Sequence, residues 1–128
     1  MTSASTNPLF RNVALSDPCG FWADQMLRAE KVAAFLELDK NDVSKLANVS
    51  KASVRYDDRM PNVVREHLEQ IANICTLVAK AFDNDISKTV LWFKTPNPLL
   101  GNISPRDMIR AGRYEKLRQF VLDAVEYA

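Results

Sequence analysis

An all-α fold is predicted for this chain of 128 residues by three observations. Apolar residues recur at spacings of three and four along most of its length, the period of one helix face. Helix-start signals, in which a short polar residue precedes an acidic one by three positions, recur between the apolar runs. The third is a shortage of turn chemistry: only Gly20, Gly101 and Gly112 are glycine, and no Asn-Gly or Asp-Gly pair marks a hairpin.

Residues 1–20 are rich in Ser, Thr, Asn and Pro with no apolar period, so a flexible N-terminal arm is expected there. A first helix is expected over 23–36, with Met26, Ala29, Ala33 and Leu36 along one face. Asp39 and Asp42 then form a capping box for a short helix, with Leu38 and Val43 as a hydrophobic staple and Leu46 on the buried side. The same device follows at once. Ser50 is placed to cap a second short helix, and Val49 and Val54 staple it, which gives a helix-turn-helix outline.

Pro61 suits the first turn of the longest helix, expected over 61–82. Val64, Leu68, Ile71, Cys75, Val78 and Phe82 form its seam, and Val63, Ile74, Leu77 and Ala81 a second row, so it lies at the centre of the domain or faces another chain. Beyond Asp83-Asn84-Asp85 a helix is expected to carry Ile86, Val90 and Phe93, although Val90-Leu91-Trp92-Phe93 alone also suits a strand. The prolines of Thr95-Pro96-Asn97-Pro98 stop it. Ser104-Pro105-Arg106-Asp107 reads as a capping box with Ile103 and Met108 as its staple, and Gly112 ends that helix. A last helix over 113–125 is expected to bury Leu117, Phe120, Val121 and Ala124.

Composition narrows the function. Seventeen Lys and Arg against sixteen Asp and Glu leave a net charge of +1, so nucleic acid or membrane would have to be held by a local patch. Cys19, Cys75 and the single histidine, His67, form no metal-ligand grouping and suggest a reducing compartment. His67, beside the seam, is expected to be a partly buried structural residue. The start has no signal-peptide pattern and no stretch reaches about 18 apolar residues, so a cytoplasmic protein with no membrane partner is expected. No nucleophile–base pair, carboxylate dyad or phosphate loop stands out, so neither catalysis nor a cofactor is expected.

The segment Trp92-Phe93-Lys94-Thr95-Pro96-Asn97-Pro98-Leu99-Leu100, followed by Ser104-Pro105-x-Asp107-Met108-Ile109-x-x-Gly112, resembles the toxin-binding domain of the Xre/MbcA/ParS antitoxins. The resemblance extends over about residues 23–126. It implies an Xre-like helix-turn-helix half, 21–82 with the long central helix, and a helical toxin-binding half, 83–128, sharing one core. It further implies an antitoxin of a type II system that neutralises a RES-domain toxin which consumes NAD, and that binds the promoter of its own operon. The competing reading is a free-standing helix-turn-helix regulator whose C-terminal half only dimerises.

Two sets of candidate residues follow. Lys51, Ser53, Arg55 and Tyr56 lie where a helix-turn-helix carries its DNA contacts; the alternatives are a solvated helix face and a dimerisation scaffold. The region 39–60 holds five basic and four acidic residues, so useful DNA affinity would need a homodimer, expected within a larger toxin–antitoxin complex. For the toxin the candidates are Arg113, Tyr114, Lys116 and Arg118, with Glu126 and Tyr127 blocking nucleotide entry where the resemblance places the C-terminal region over the NAD pocket. The Thr-Pro-Asn-Pro stretch itself reads as a structural corner, and Trp92 as core because it follows the buried-looking Val90 and Leu91.

Overall fold

Phe21 and Leu27 both enter the core, one from each side of a tight turn. The computed structural model describes residues 17–126. The chain between Phe21 and Leu27 reverses in a tight turn instead of winding into a helix, and the two side chains are buried from opposite faces of the ribbon. Strands β1 (Trp22–Ala23) and β2 (Met26–Leu27) accordingly pair antiparallel, Trp22 with Leu27 and Ala23 with Met26. The turn places Asp24 and Gln25 at φ of 51° and 65°, the left-handed pair that a two-residue hairpin requires. The helix expected from residue 23 therefore starts later: α1 spans Ala29–Phe35. Ala29, Ala33 and Leu36 are buried as their spacing requires, but Met26 is 58% exposed. Residues 17–20, expected in the arm, are tied down instead. The Asp17 carboxylate accepts the N–H groups of Phe21 and Trp22, each at 3.0 Å. The rest of that arm, 1–16, lies outside the described residues.

Helix α2 (Lys40–Ala47) has both halves of its capping box: Asp39 accepts from the Asp42 N–H at 2.8 Å, and Asp42 from the Asp39 N–H at 3.1 Å. Leu38 and Val43 are both buried beside it. Its end is closed by Asn48 at φ 56°, where the Val49 N–H reaches the Ser44 carbonyl at 3.0 Å. The second short helix of the expected pair is a single 3₁₀ turn, Lys51–Ser53. So short a segment gains few helical bonds, and burial of Val54 in extended backbone ends it.

Helix α3 (Asn62–Ala81) follows Pro61, which occupies the cap position one residue before the helix. Helices α4 (Ile86–Lys94), α5 (Pro105–Arg110) and α6 (Tyr114–Glu126) complete the fold. Helices α1, α2, α4 and α6 all pack on α3, which answers why it is apolar on two faces: it is central. Val64, Leu68, Ile71, Cys75 and Val78 of its seam are buried, and so is Ile74 of the second row, while Val63 and Ala81 stay exposed at the ends. One buried cluster runs from Phe21 to Val121 through every helix, so among the described residues there is one core.

The run from Val90 to Phe93 is helical. Thr89 and Phe93 are buried one turn apart, and Leu91, two residues from each, points away and is 66% exposed rather than buried. Trp92 is half-buried against the core, its ring edge-on to Phe93 at 5.1 Å. In α5 the Ser104 hydroxyl accepts from the Asp107 N–H at 3.1 Å, but the Asp107 carboxylate turns to Arg110 at 3.2 Å, so only half of that capping box forms. Ile103 stays exposed although Met108 is buried. Gly112, at φ 75°, reverses the chain with the Arg113 N–H on the Met108 carbonyl at 2.8 Å. On α6 the buried residues are Tyr114, Leu117 and Val121; Phe120 is half-buried and Ala124, expected inside, is exposed.

Candidate functional site

The DNA candidates sit on and just after the 3₁₀ turn, and most of their polar groups are engaged within the chain. Ser53 shares a hydrogen bond with the Ser50 hydroxyl at 2.8 Å, which replaces the expected cap. Arg55 grips Asp57 through Nη2 at 2.6 Å and Nε at 3.1 Å. That hydrogen bond and its charge lower the Asp57 carboxyl and raise the Arg55 guanidinium from their ordinary values. Tyr56 is half-buried against the core, and burial pushes its hydroxyl up. Lys51 alone of the four is an exposed cation with no ion partner among the described residues. A single turn also lacks the length with which a recognition helix spans a major groove.

The toxin candidates lie on α6 and separate by side. Tyr114 is only 8% exposed and its hydroxyl meets His67 Nδ1 at 2.5 Å, so it is a core residue and not a contact. The reason is its register: Tyr114, Leu117 and Val121 share the face that α6 turns to α3. His67 is accordingly the partly buried structural residue its place beside the seam suggests. Arg113, Lys116 and Arg118 are exposed, with no ion partner among the described residues. Lys116 and Arg118 are nonetheless about 160° apart around the helix, so one flat partner surface cannot meet both. Arg113 stands one residue before α6. Glu126 ends α6 exposed, and Tyr127 lies outside the described residues.

Two arginines that sequence alone marks only as surface charge prove structural. Arg106 donates through Nε to the Leu36 carbonyl and through Nη2 to the Glu37 carbonyl, the latter at 2.6 Å. It thereby satisfies carbonyls at the end of α1, where Glu37 takes φ 53°. Arg110 Nε reaches Asp42 Oδ1 at 3.1 Å on α2. Desolvation pushes the buried Asp42 carboxyl up, but the Asp39 N–H and Arg110 outweigh it and hold the group below its usual value. An ion pair between Lys94 and Glu37 lies alongside and lowers the Glu37 carboxyl through its hydrogen bond. Glu37, Lys94 and Arg106 line an open recess of about 280 Å³ with Ser104 and Asp107. Most of their polar atoms are spent on one another, which makes the recess a seam between α1 and α5. No local sequence signal points to it, because Arg106 and Arg110 find their partners on the first two helices 68 to 70 residues away, and Lys94 finds Glu37 at 57.

The thiols are equally committed to structure. Cys19 Sγ lies 4.0 Å from the Cys75 carbonyl oxygen. Burial, with Asp17 adding to it, pushes the Cys19 thiol up to about 11, and burial raises Cys75 well above its ordinary value. Both remain protonated near neutrality and are poor nucleophiles. Among the described residues no group of three or more His, Cys, Asp or Glu is arranged to hold a metal, and no helix is long and apolar enough to cross a membrane. The surface carries exposed cations at the start of α6 and along it, and exposed leucines on α4 and in the corner before α5. Comparison with protein-family models, with curated proteins and with solved structures finds no match for this chain.

Proposed function

We propose that this chain is an antitoxin that binds and neutralises a RES-domain, NAD-consuming toxin in the cytoplasm, as part of a larger toxin–antitoxin complex. The observation that carries the reading is a pair of exposed cations at the start of α6, Arg113 just before it and Lys116 in its first turn, on a helix anchored in the core by Tyr114, Leu117 and Val121. A rigid helix presenting cations to solvent offers a partner pre-organised charge at little entropic cost. These residues follow directly on the segment from Trp92 to Gly112 in which the resemblance to the antitoxin family resides.

Promoter binding has less support, and so does a free-standing regulator, since both require the 51–56 region to read DNA while Arg55 is held by Asp57. The test is co-expression with the protein of the adjacent reading frame, purification through a tag on either partner, and NAD turnover with and without this chain. A stable complex with suppressed turnover is the expected result. Failure to co-purify, with turnover undiminished, would remove the reading.

A further inference from the structure

Lys94 of α4 and Arg106 of α5 meet at Glu37, the residue that closes α1. Lys94 pairs with the Glu37 carboxylate, and Arg106 Nη2 donates to the Glu37 carbonyl at 2.6 Å. Lys94 first, and Arg106 after it, hold that carboxyl below its ordinary value, so both cations act where the carboxylate sits. The backbone alone would favour a different residue here. Glu37 takes φ 53°, with the Leu38 N–H on the Ala33 carbonyl at 2.8 Å, a helix-closing position that glycine adopts without strain. A glutamate held in this conformation, with its carboxylate in an open recess, points to a use for the seat it fills.

The recess keeps donors that the fold leaves over. Ser104 is only 6% exposed; its hydroxyl accepts from the Asp107 N–H at 3.1 Å, and its own proton meets no acceptor among the described residues. Arg106 Nη1 lies 3.9 Å from Asp107 Oδ1, beyond hydrogen-bond reach, while Nε and Nη2 serve the Leu36 and Glu37 carbonyls. The Lys94 ammonium carries three donors and, among the described residues, has only Glu37 as partner. All three side chains line the recess. Asp107, its other carboxylate, is held by Arg110 Nη1 at 3.2 Å, and Arg110 Nε also reaches Asp42. Lys94, Arg106 and Arg110 thus balance Glu37, Asp42 and Asp107, and a swing of the exposed Glu37 side chain uncovers one positive charge.

We propose that this recess binds a phosphate group, free or carried by a small phosphorylated ligand, and that the Glu37 carboxylate is its built-in competitor. The competitor selects the ligand. A free carboxylate brings only the charge that Glu37 already supplies, and Glu37 has the advantage of its tether. A phosphate brings nearly two charges and three acceptor oxygens, which suits Lys94, Arg106 Nη1 and the Ser104 hydroxyl together. The site stands apart from the antitoxin reading and from α6.

The test is calorimetric titration at fixed ionic strength with inorganic phosphate, glycerol phosphate and acetate, using wild type, Lys94→Met and Glu37→Gly. Phosphate is expected to bind wild type saturably, and acetate not to bind. Lys94→Met is expected to weaken phosphate about tenfold through loss of a charge-assisted contact. Glu37→Gly removes the competitor and suits the left-handed backbone, so it is expected to bind phosphate about tenfold more tightly with its thermal midpoint kept or raised. Thermal midpoints in rising phosphate check a titration that gives no heat. Tighter binding of glycerol phosphate than of phosphate identifies an esterified ligand, and the reverse identifies the free ion; both uphold the site. No saturable response from wild type or Glu37→Gly overturns it, and so does acetate bound as tightly as phosphate. Equal phosphate affinity in all three chains means an adventitious ion only and overturns it as well.

Discussion

The Tyr114 hydroxyl on α6 meets Nδ1 of His67 on α3 at 2.5 Å, with the two rings edge to face at 5.6 Å. One polar contact thus sits on the main packing interface between the last helix and the central one. Tyr114→Phe keeps the ring and removes only the hydroxyl, leaving a half-buried imidazole nitrogen without its partner. A loss of about 1 kcal/mol is expected in urea unfolding. Toxin binding should hold, since Tyr114 is not at the surface. Weaker binding at unchanged stability would return Tyr114 to the interface.

Leu68 and Ile71 are fully buried in the α3 seam with helices on several sides. Truncating either to Ala removes contacts to more than one neighbour, so a loss of about 2 to 5 kcal/mol is expected. The denaturant midpoint checks it, and a wild-type midpoint in both variants would displace α3 from the centre.

Acid sensitivity should trace largely to Asp42. Its folded-state carboxyl lies below its ordinary value, so its charged form stabilises the fold above an unfolded value of about 3.9, and that contribution is lost as pH falls below it. Glu37 and Asp57 are lowered too, but both are exposed and count for less. Asp42→Asn is expected to flatten the fall in stability below about pH 4 while lowering stability at neutral pH, as read by thermal unfolding across a pH series. An acid limb as steep as that of wild type would assign it to other carboxylates.

The double variant Lys51→Ala, Arg55→Ala should bind and inhibit the toxin as wild type does, because the 3₁₀ turn packs on α2 and Arg55 is bound to Asp57. In a low-salt gel shift with a promoter fragment, wild type and variant are expected to behave alike. A shift given by wild type and lost in the variant would restore a DNA-reading role to this region.

The sequence by itself determined the helical class, the long apolar seam of α3, and the places where helices start and stop at Asp39 with Asp42, Ser104 with Pro105, and Gly112. These are local interactions, between residues within a turn of each other, and local spacing is what a sequence displays. Which face of each element meets the core was decided by tertiary packing. The expected start of α1 is a hairpin in which Phe21 and Leu27 are both buried, with Asp24 and Gln25 in the left-handed region at its turn. Tyr114 turns inward to His67, and Leu91 outward, because α3 and its neighbours fix the rotation of α6 and α4. Val54 draws the chain into the core before a second short helix can lengthen. Arg106 and Arg110 read as free surface charge until the fold brings them to carbonyls and a carboxylate 68 to 70 residues away. Those pairings satisfy a helix end and a buried charge that exist only once the helices have packed, and so have no counterpart in the spacing of residues along the chain.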